Sequence, residues 1–263
     1  MMGLETIPWA DLAPFIAVGF FAQLVDGTLG LGFGVLSNTL LIALGVPPPA
    51  ASAAVRTSES FASGFSGLAH IAQRNVDWRL FARLAVPGVA GGVIGVWIFA
   101  LVHQPVLRPV MFAYLAAVGT YLLWRGPRRP HTYRRLRLVG PVGLIGGFLD
   151  ASGGGGWGPV VTGHLLAQGA TPRVAIGTAN AVEFFVTVTV LAAFIRTLGF
   201  EAFTIAAAGL LIGGVAAAPL GALLVRQVPP RLLVMLVGGL LIVTALYGLL
   251  ALVFGPIPAF PRY

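Results

Sequence analysis

One stretch of this chain occurs twice. Asp26-Gly27-Thr28-Leu29-Gly30-Leu31-Gly32-Phe33-Gly34 returns as Asp150-Ala151-Ser152-Gly153-Gly154-Gly155-Gly156-Trp157-Gly158. The copies belong to a longer repeat in which Asp26–Phe61 lies on Asp150–Phe185 without a gap. Gly45/Gly169, Pro48/Pro172 and Glu59/Glu183 coincide. Further on, Gly88 falls on Gly214, Gly95 on Gly221 and Tyr121 on Tyr247. An internal repeat dictates the fold before any local reading does. The chain divides into halves 12–124 and 138–253, joined by 125–137.

Each copy sets an acid, a hydroxyl and a run of glycines inside an apolar segment. Glycine in a helix costs about 1 kcal/mol relative to alanine, so a run of them predicts a break. At membrane depth a broken helix is tolerated only where it faces protein or a watery cavity. Paired breaks at corresponding positions of two halves point to a transporter's binding site. The plainer reading is that the glycines only let helices pack closely.

Composition supplies the membrane. The 263 residues are 57% hydrophobic and 9% charged, against about 25% charged in soluble domains. Leu84–Val102, Ala202–Val225 and Leu232–Gly255 carry no charge, and a span takes about 20 apolar residues. Short apolar pieces, Leu12–Val25 and Phe33–Gly45, flank the first break; Leu138–Leu149 and Pro159–Gln168 flank the second. Helices with polar residues follow each, Ala50–Gln73 and Pro172–Arg196. Two further spans close each half: Leu80–Leu101 and Val106–Trp124, then Ala202–Val225 and Arg231–Phe254. The expected fold is all-α and polytopic, with a broken or re-entrant helix pair and three spanning helices per repeat.

Charge sets the expected topology. Arg125, Arg128, Arg129, Arg134, Arg135 and Arg137 crowd the linker, which the positive-inside rule assigns to the cytoplasm. Arg74, Arg79 and Arg83 then fall on the same side. If each broken segment crossed once, Arg173, Arg226 and Arg231 would lie outside. If it folds back, they lie inside and the halves are inverted. The second arrangement obeys the rule better and leaves both termini outside.

Four of the eight acids, Asp26, Glu59, Asp150 and Glu183, lie in apolar stretches as two repeat-related pairs. An ionisable group in a membrane span is a functional candidate by default, and these four are the candidates for ion coupling. For Asp26 and Asp150, capping of a broken helix is the structural alternative. The candidate substrate contacts are the amides of Gly30, Gly32, Gly34, Gly154 and Gly156 with Ser152. Glycine runs and half-helix N-termini cradle anions without a basic residue. Arg56, Thr57 and Ser58 are added from one half, Thr178 and Asn180 from the other. Arg56 lies one helical turn from Glu59, so an internal ion pair is its plain alternative; its repeat mate is Asn180.

Much chemistry is excluded. All sixteen basic residues are Arg, which removes a P-loop lysine and a Lys Schiff base. Without Cys there is no disulfide and no thiolate metal site. His70 and His164 stand alone, so no metal site, cofactor or catalytic set is expected. The net charge of +8 belongs to the membrane topology, not to nucleic acid. Gly153–Gly158 matches G-x-G-x-x-G, but no soluble strand–helix unit surrounds it. Trp97, Trp124 and Trp157 are interface-belt or packing residues.

The duplicated glycine stretch, the short segment after it, the turns Gly45-Val46-Pro47-Pro48 and Gly169-Ala170-Thr171-Pro172, and the small-residue helices Ala53–Ser58 and Gly177–Ala181 resemble the TauE/SafE family of sulfite exporters. The resemblance covers about 12–253. It implies a multi-pass transporter of small sulfur-containing anions, sulfite or organosulfonates, in a bacterial-type inner (plasma) membrane, with membrane lipid around it. With no nucleotide motif, such a carrier draws on gradients. Protons are the expected coupling ion, since an acid can be neutral when dry and ionised when wet. The rivals are an importer, a carrier of another anion or metabolite, and a membrane-embedded enzyme. The last lacks a nucleophile–base–orienter set.

Overall fold

The computed structural model of the protein describes residues 9–98, 104–125, 136–153, 156–198 and 204–254. Among the described residues there are ten α-helices and no strand. The first half contains α1 (Trp9–Leu29), α2 (Phe33–Ala43), α3 (Pro48–Ala72), α4 (Trp78–Ile98) and α5 (Gln104–Arg125). The second contains α6 (Val139–Gly153), α7 (Trp157–Ala167), α8 (Pro172–Leu198), α9 (Ile205–Gln227) and α10 (Pro230–Phe254). Among the described residues, five helices are long and apolar enough to cross a membrane.

The repeat recurs in backbone detail. Gly45 and Gly169 close the short helices with the same positive φ of 89°, a conformation glycine adopts without penalty. Both carbonyl-rich ends are met the same way, by Gly45 N donating to Ile42 O and Gly169 N to Leu166 O.

The halves interlock. α1 packs along α9, and its repeat mate α6 packs along α4. α3 lies on α8, and α5 on α10. Small residues make this possible. A Cβ on Gly88 would stand 2.7 Å from the Trp157 ring, while Gly214, its mate, faces the Phe33 ring, the mate of Trp157. Gly91 in α4 abuts the Leu144 carbonyl of α6. Close backbone approach of this kind drives helix association where lipid is as apolar as leucine.

α3 and α8 run antiparallel. Ser63 hydrogen-bonds Thr187 at 3.2 Å, Ser66 donates to Asn180 Oδ1 at 2.8 Å, and Arg173, at the start of α8, donates to the Gln73 and Arg74 carbonyls just after α3. Ser63 and Thr187 are themselves repeat mates, so the two halves meet here through equivalent positions.

The hydrogen bonds also sort the ends. Gln168, just after α7, exchanges two bonds with the backbone of Arg137, just before α6. α6 and α7 therefore form a hairpin that leaves by the end it entered. Arg83 donates to the Leu136 carbonyl, and Arg226 to Gln73. Arg83, Arg137, Arg173 and Arg226 thus gather at one end of the bundle.

Two expected boundaries move: α6 runs through Asp150 to Gly153, past the expected end at Leu149, and α1 overruns its own. Leu12–Val25 was expected to stop before Asp26, but α1 is 21 residues long and continues through Asp26-Gly27-Thr28. Thr28 Oγ1 donates to the Leu24 carbonyl, and Gly27 meets the Cα of Gly221 in α9. Here glycine serves packing, and the break is confined to Gly30 (φ 68°), Leu31 and Gly32 (φ 103°). At about 31 Å, α1 is long enough to span by itself. Trp157 is wholly buried and donates Nε1 to the Ala179 carbonyl, so it is a packing residue. Trp97 and Trp124 are 80% and 62% exposed on the outer surface.

Candidate site at the broken helices

The two breaks come together. The Gly30 carbonyl abuts Gly158 in the first turn of α7, and Thr162 of α7 lies against Gly30. Gly34 is buried in the first turn of α2. Gly154 lies outside the described residues, and Ser152 is in the last turn of α6. The caps differ: Gly32 is left-handed, whereas Gly156 is right-handed helical at φ −82°.

Each break is bridged by its own acid. The Asp26 carboxylate lies against the Phe33 amide that opens α2. Trp157 N, which opens α7, donates to Asp150 Oδ1 at 3.4 Å. A carboxylate at a helix N-terminus meets unpaired amides and the positive end of the dipole. Glu59 reaches the Gly34 amide in the same turn of α2. All four acids are buried. They stand within electrostatic reach of one another: Glu59 of Asp150 and Asp26, and Glu183 of Asp26, Glu59 and Asp150.

Arg56 and Asn180 make equivalent contacts. Arg56 Nη2 donates to the Asp150 and Ala151 carbonyls at 3.4 Å, at the closing end of α6. Asn180 Nδ2 donates to the Asp26 carbonyl at 3.5 Å, at the closing end of α1. A cation or an amide there adds a donor at the negative end of the helix dipole; the Asp26 carbonyl also accepts from Gly30 N. Arg56 and Asn180 are repeat mates of different type. Only the residue type changes; each side chain still reaches across to the acid-bearing end of the other half.

The remaining candidates have these partners. Thr57 and Ser58 donate to their own helix, at Ala53, Ala54 and Val55. Thr178 accepts from Asp77 N at the α3–α4 connection. Ser60 and Thr187 are added by the structure. With Arg56, Glu59 and Asp150 they line a crevice nowhere wide enough for a water molecule. Nothing marked them in the sequence beyond a hydroxyl in an apolar helix. Among the described residues no group of His, Asp and Glu is arranged to hold a metal ion.

The chain matches the family model described as "Sulfite exporter TauE/SafE" over residues 15–248. The chain belongs to the TauE/SafE family. It is 37% identical over 240 residues to the "Probable membrane transporter protein YtnM" of Bacillus subtilis, covering 88% of this chain and 80% of that protein. It is 35% identical over 136 residues to "Sulfite exporter TauE/SafE family protein 3" of Arabidopsis thaliana, covering 51% of this chain and 21% of the plant protein. No solved structure matches. Family, relatives and helices together make the chain a multi-pass membrane transporter.

Proposed function

We propose that this TauE/SafE member is a secondary transporter that exports a small sulfur-containing oxyanion, sulfite or an organosulfonate, together with protons. The observation that carries it is the meeting of two glycine-broken helices over four buried carboxylates. The amide ends of α2 and α7 are the anion sites, with Gly30, Gly32, Gly34, Ser152 and Gly156 around them. Those amides are already met by Asp26, Glu59 and Asp150. A carboxylate and a substrate anion do not share the same amides while both are charged, so anion entry goes with proton uptake by an acid. One proton per monoanion makes the step electroneutral, and export then runs down the substrate's own gradient. The same co-binding supports import wherever the medium is more acidic than the cytoplasm, which is the second reading.

The halves work as inverted repeats, each rocking against the other about the shared site. Support comes from the antiparallel α3 and α8 and from the gathering of Arg173 and Arg226 with the α3–α4 connection at one end.

The test is flux of labelled sulfite and methanesulfonate in vesicles, with and without an imposed proton gradient. Wild-type flux should follow the gradient. Glu59→Gln, Glu183→Gln or the double variant should retain binding and lose that response. Wild-type flux indifferent to the gradient would remove the proton assignment; no flux of any sulfur oxyanion would remove the transport assignment.

A further inference from the structure

The connection between α3 and α4 belongs to the first half, yet its side chains and carbonyls are held by the second. Arg173, in the first turn of α8, donates Nε to Asn75 Oδ1 at 2.7 Å. Its Nη2 donates to the Gln73 and Arg74 carbonyls at 3.2 and 2.8 Å. Arg226, in the last turn of α9, donates to Gln73 Oε1 at 2.7 Å. Asn75 is wholly buried, and its Nδ2 donates to the Ala222 carbonyl of α9 at 2.9 Å. Asp77 N donates to Thr178 Oγ1 of α8 at 3.0 Å. These bonds fasten 73–77 across α8 and α9 at the arginine-rich end. The two guanidiniums meet there on one residue, Gln73.

The fastening closes one end of a polar seam. Glu59, Ser63 and Ser66 follow one another along a face of α3, and Asn180, Glu183 and Thr187 along a face of α8. All six are buried. Ser66 bonds Asn180, and Ser63 bonds Thr187, so the seam leads from 73–77 to the carboxylates. The repeat does not copy the device: the mates of Gln73 and Arg173 are Thr197 and Pro49. Among the described residues, every acceptor on the two guanidiniums is neutral, an amide oxygen or a backbone carbonyl. Such acceptors are weak competitors. Hydrogen bonds to an ionised acceptor are roughly twice as strong as neutral ones, and the guanidinium fork matches two oxygens of an oxyanion at once.

We infer that Arg173 and Arg226 form an entry site for a small oxyanion, and that the anion opens this end by replacing the Asn75, Gln73 and Arg74 oxygens on the two guanidiniums. Each guanidinium N–H exchanges one acceptor for another, so no donor is left bare, while 73–77 loses its hold on both arginines. A neutral solute or a cation cannot make that exchange. The inference rests on the transport assignment above and adds the place where the anion enters. In the proposed inverted topology this end is cytoplasmic, so entry here is the loading step of export.

The test is amide hydrogen exchange of the full chain in detergent, titrated with sodium sulfite against sodium chloride at equal ionic strength. Local opening is read directly by exchange, and sulfite should speed it at Gln73–Asp77 about tenfold in wild type. Arg226 is exposed and makes one bond in this network, so Arg226→Gln folds. It should raise the sulfite concentration for half the response about tenfold. Gln73→Ala removes the side-chain oxygen that competes for Arg226, and should lower that concentration. The opposite signs are the signature. Both variants loosen the closed end, so if sulfite acted only at the deeper site, both would lower the concentration. Shifts in the same direction, or none in either variant, therefore overturn the inference, as does a wild-type response no larger than that to chloride. Intact wild-type vesicle flux then leaves the transport assignment standing. Absence of oxyanion flux in wild type overturns the transport assignment, and the entry site falls with it.

Discussion

Arg56 is one residue with two readings that the structure separates. Its Nη2 spans to the closing carbonyls of α6, so it holds the second broken helix in place beside the site. Arg56→Gln should therefore lower stability by about 1–3 kcal/mol and weaken monoanions and dianions equally. Titrating both anion classes against denaturant stability checks this; selective loss of the dianion would instead put Arg56 on the substrate. Gly88 is a second case. A side chain there meets the Trp157 ring at 2.7 Å, and that ring is wholly buried. Gly88→Val should destabilise by about 1–3 kcal/mol through overpacking, read from the melting curve, whereas Gly239→Ala, with open space at its Cβ, should be near neutral.

At the level of the element, the hairpin of α6 and α7 is the decisive object. α6 has 15 residues and α7 has 11, about 22 and 16 Å, so neither matches a hydrocarbon core of about 30 Å. A hairpin entering and leaving at the Arg137 end puts Arg173 beside Gln73. The proposed inverted topology can be read by labelling, since the chain has no Cys. Arg79→Cys and Arg231→Cys should react with an impermeant thiol reagent from one side of the membrane, and Leu44→Cys only from the other. Labelling of Arg231→Cys from the side opposite to Arg79→Cys would mean that the halves are not inverted.

For the whole molecule, charge counting makes a prediction that no single residue carries. Asp26, Glu59, Asp150 and Glu183 share one buried region with Arg56. An arriving anion adds to that negative charge and favours protonation of an acid. By reciprocity, protons must then favour anion binding. The sign follows: anion affinity rises as pH falls, and the anion draws protons from an unbuffered solution as it binds. The change in free pH on adding methanesulfonate, which cannot itself buffer, measures the stoichiometry directly. Glu59→Gln with Glu183→Gln should reduce that uptake.

Much of the architecture was legible in the chain because it rests on local physics. The uncharged windows could sit only in lipid, and Gly30–Gly32 could not continue a helix. The register that pairs Asp26 with Asp150 also paired Gly45 with Gly169, whose backbones agree. The start of the break was misjudged because Gly27 looks like Gly30 in a string of letters; only its contact with Gly221 reveals it as a packing residue. The site was less legible. A repeat says which residues are equivalent, but not which surfaces meet, since that depends on the crossing of α3 and α8. Packing alone set Ser63 on its own mate Thr187, carried Arg56 and Asn180 across to the opposite half, and turned Thr57 and Ser58 back onto their helix. It also stranded Gln23, Ser37 and Thr162 without partners. Which neighbour a buried side chain meets is set by how helices distant in sequence cross, and no local pattern encodes that crossing.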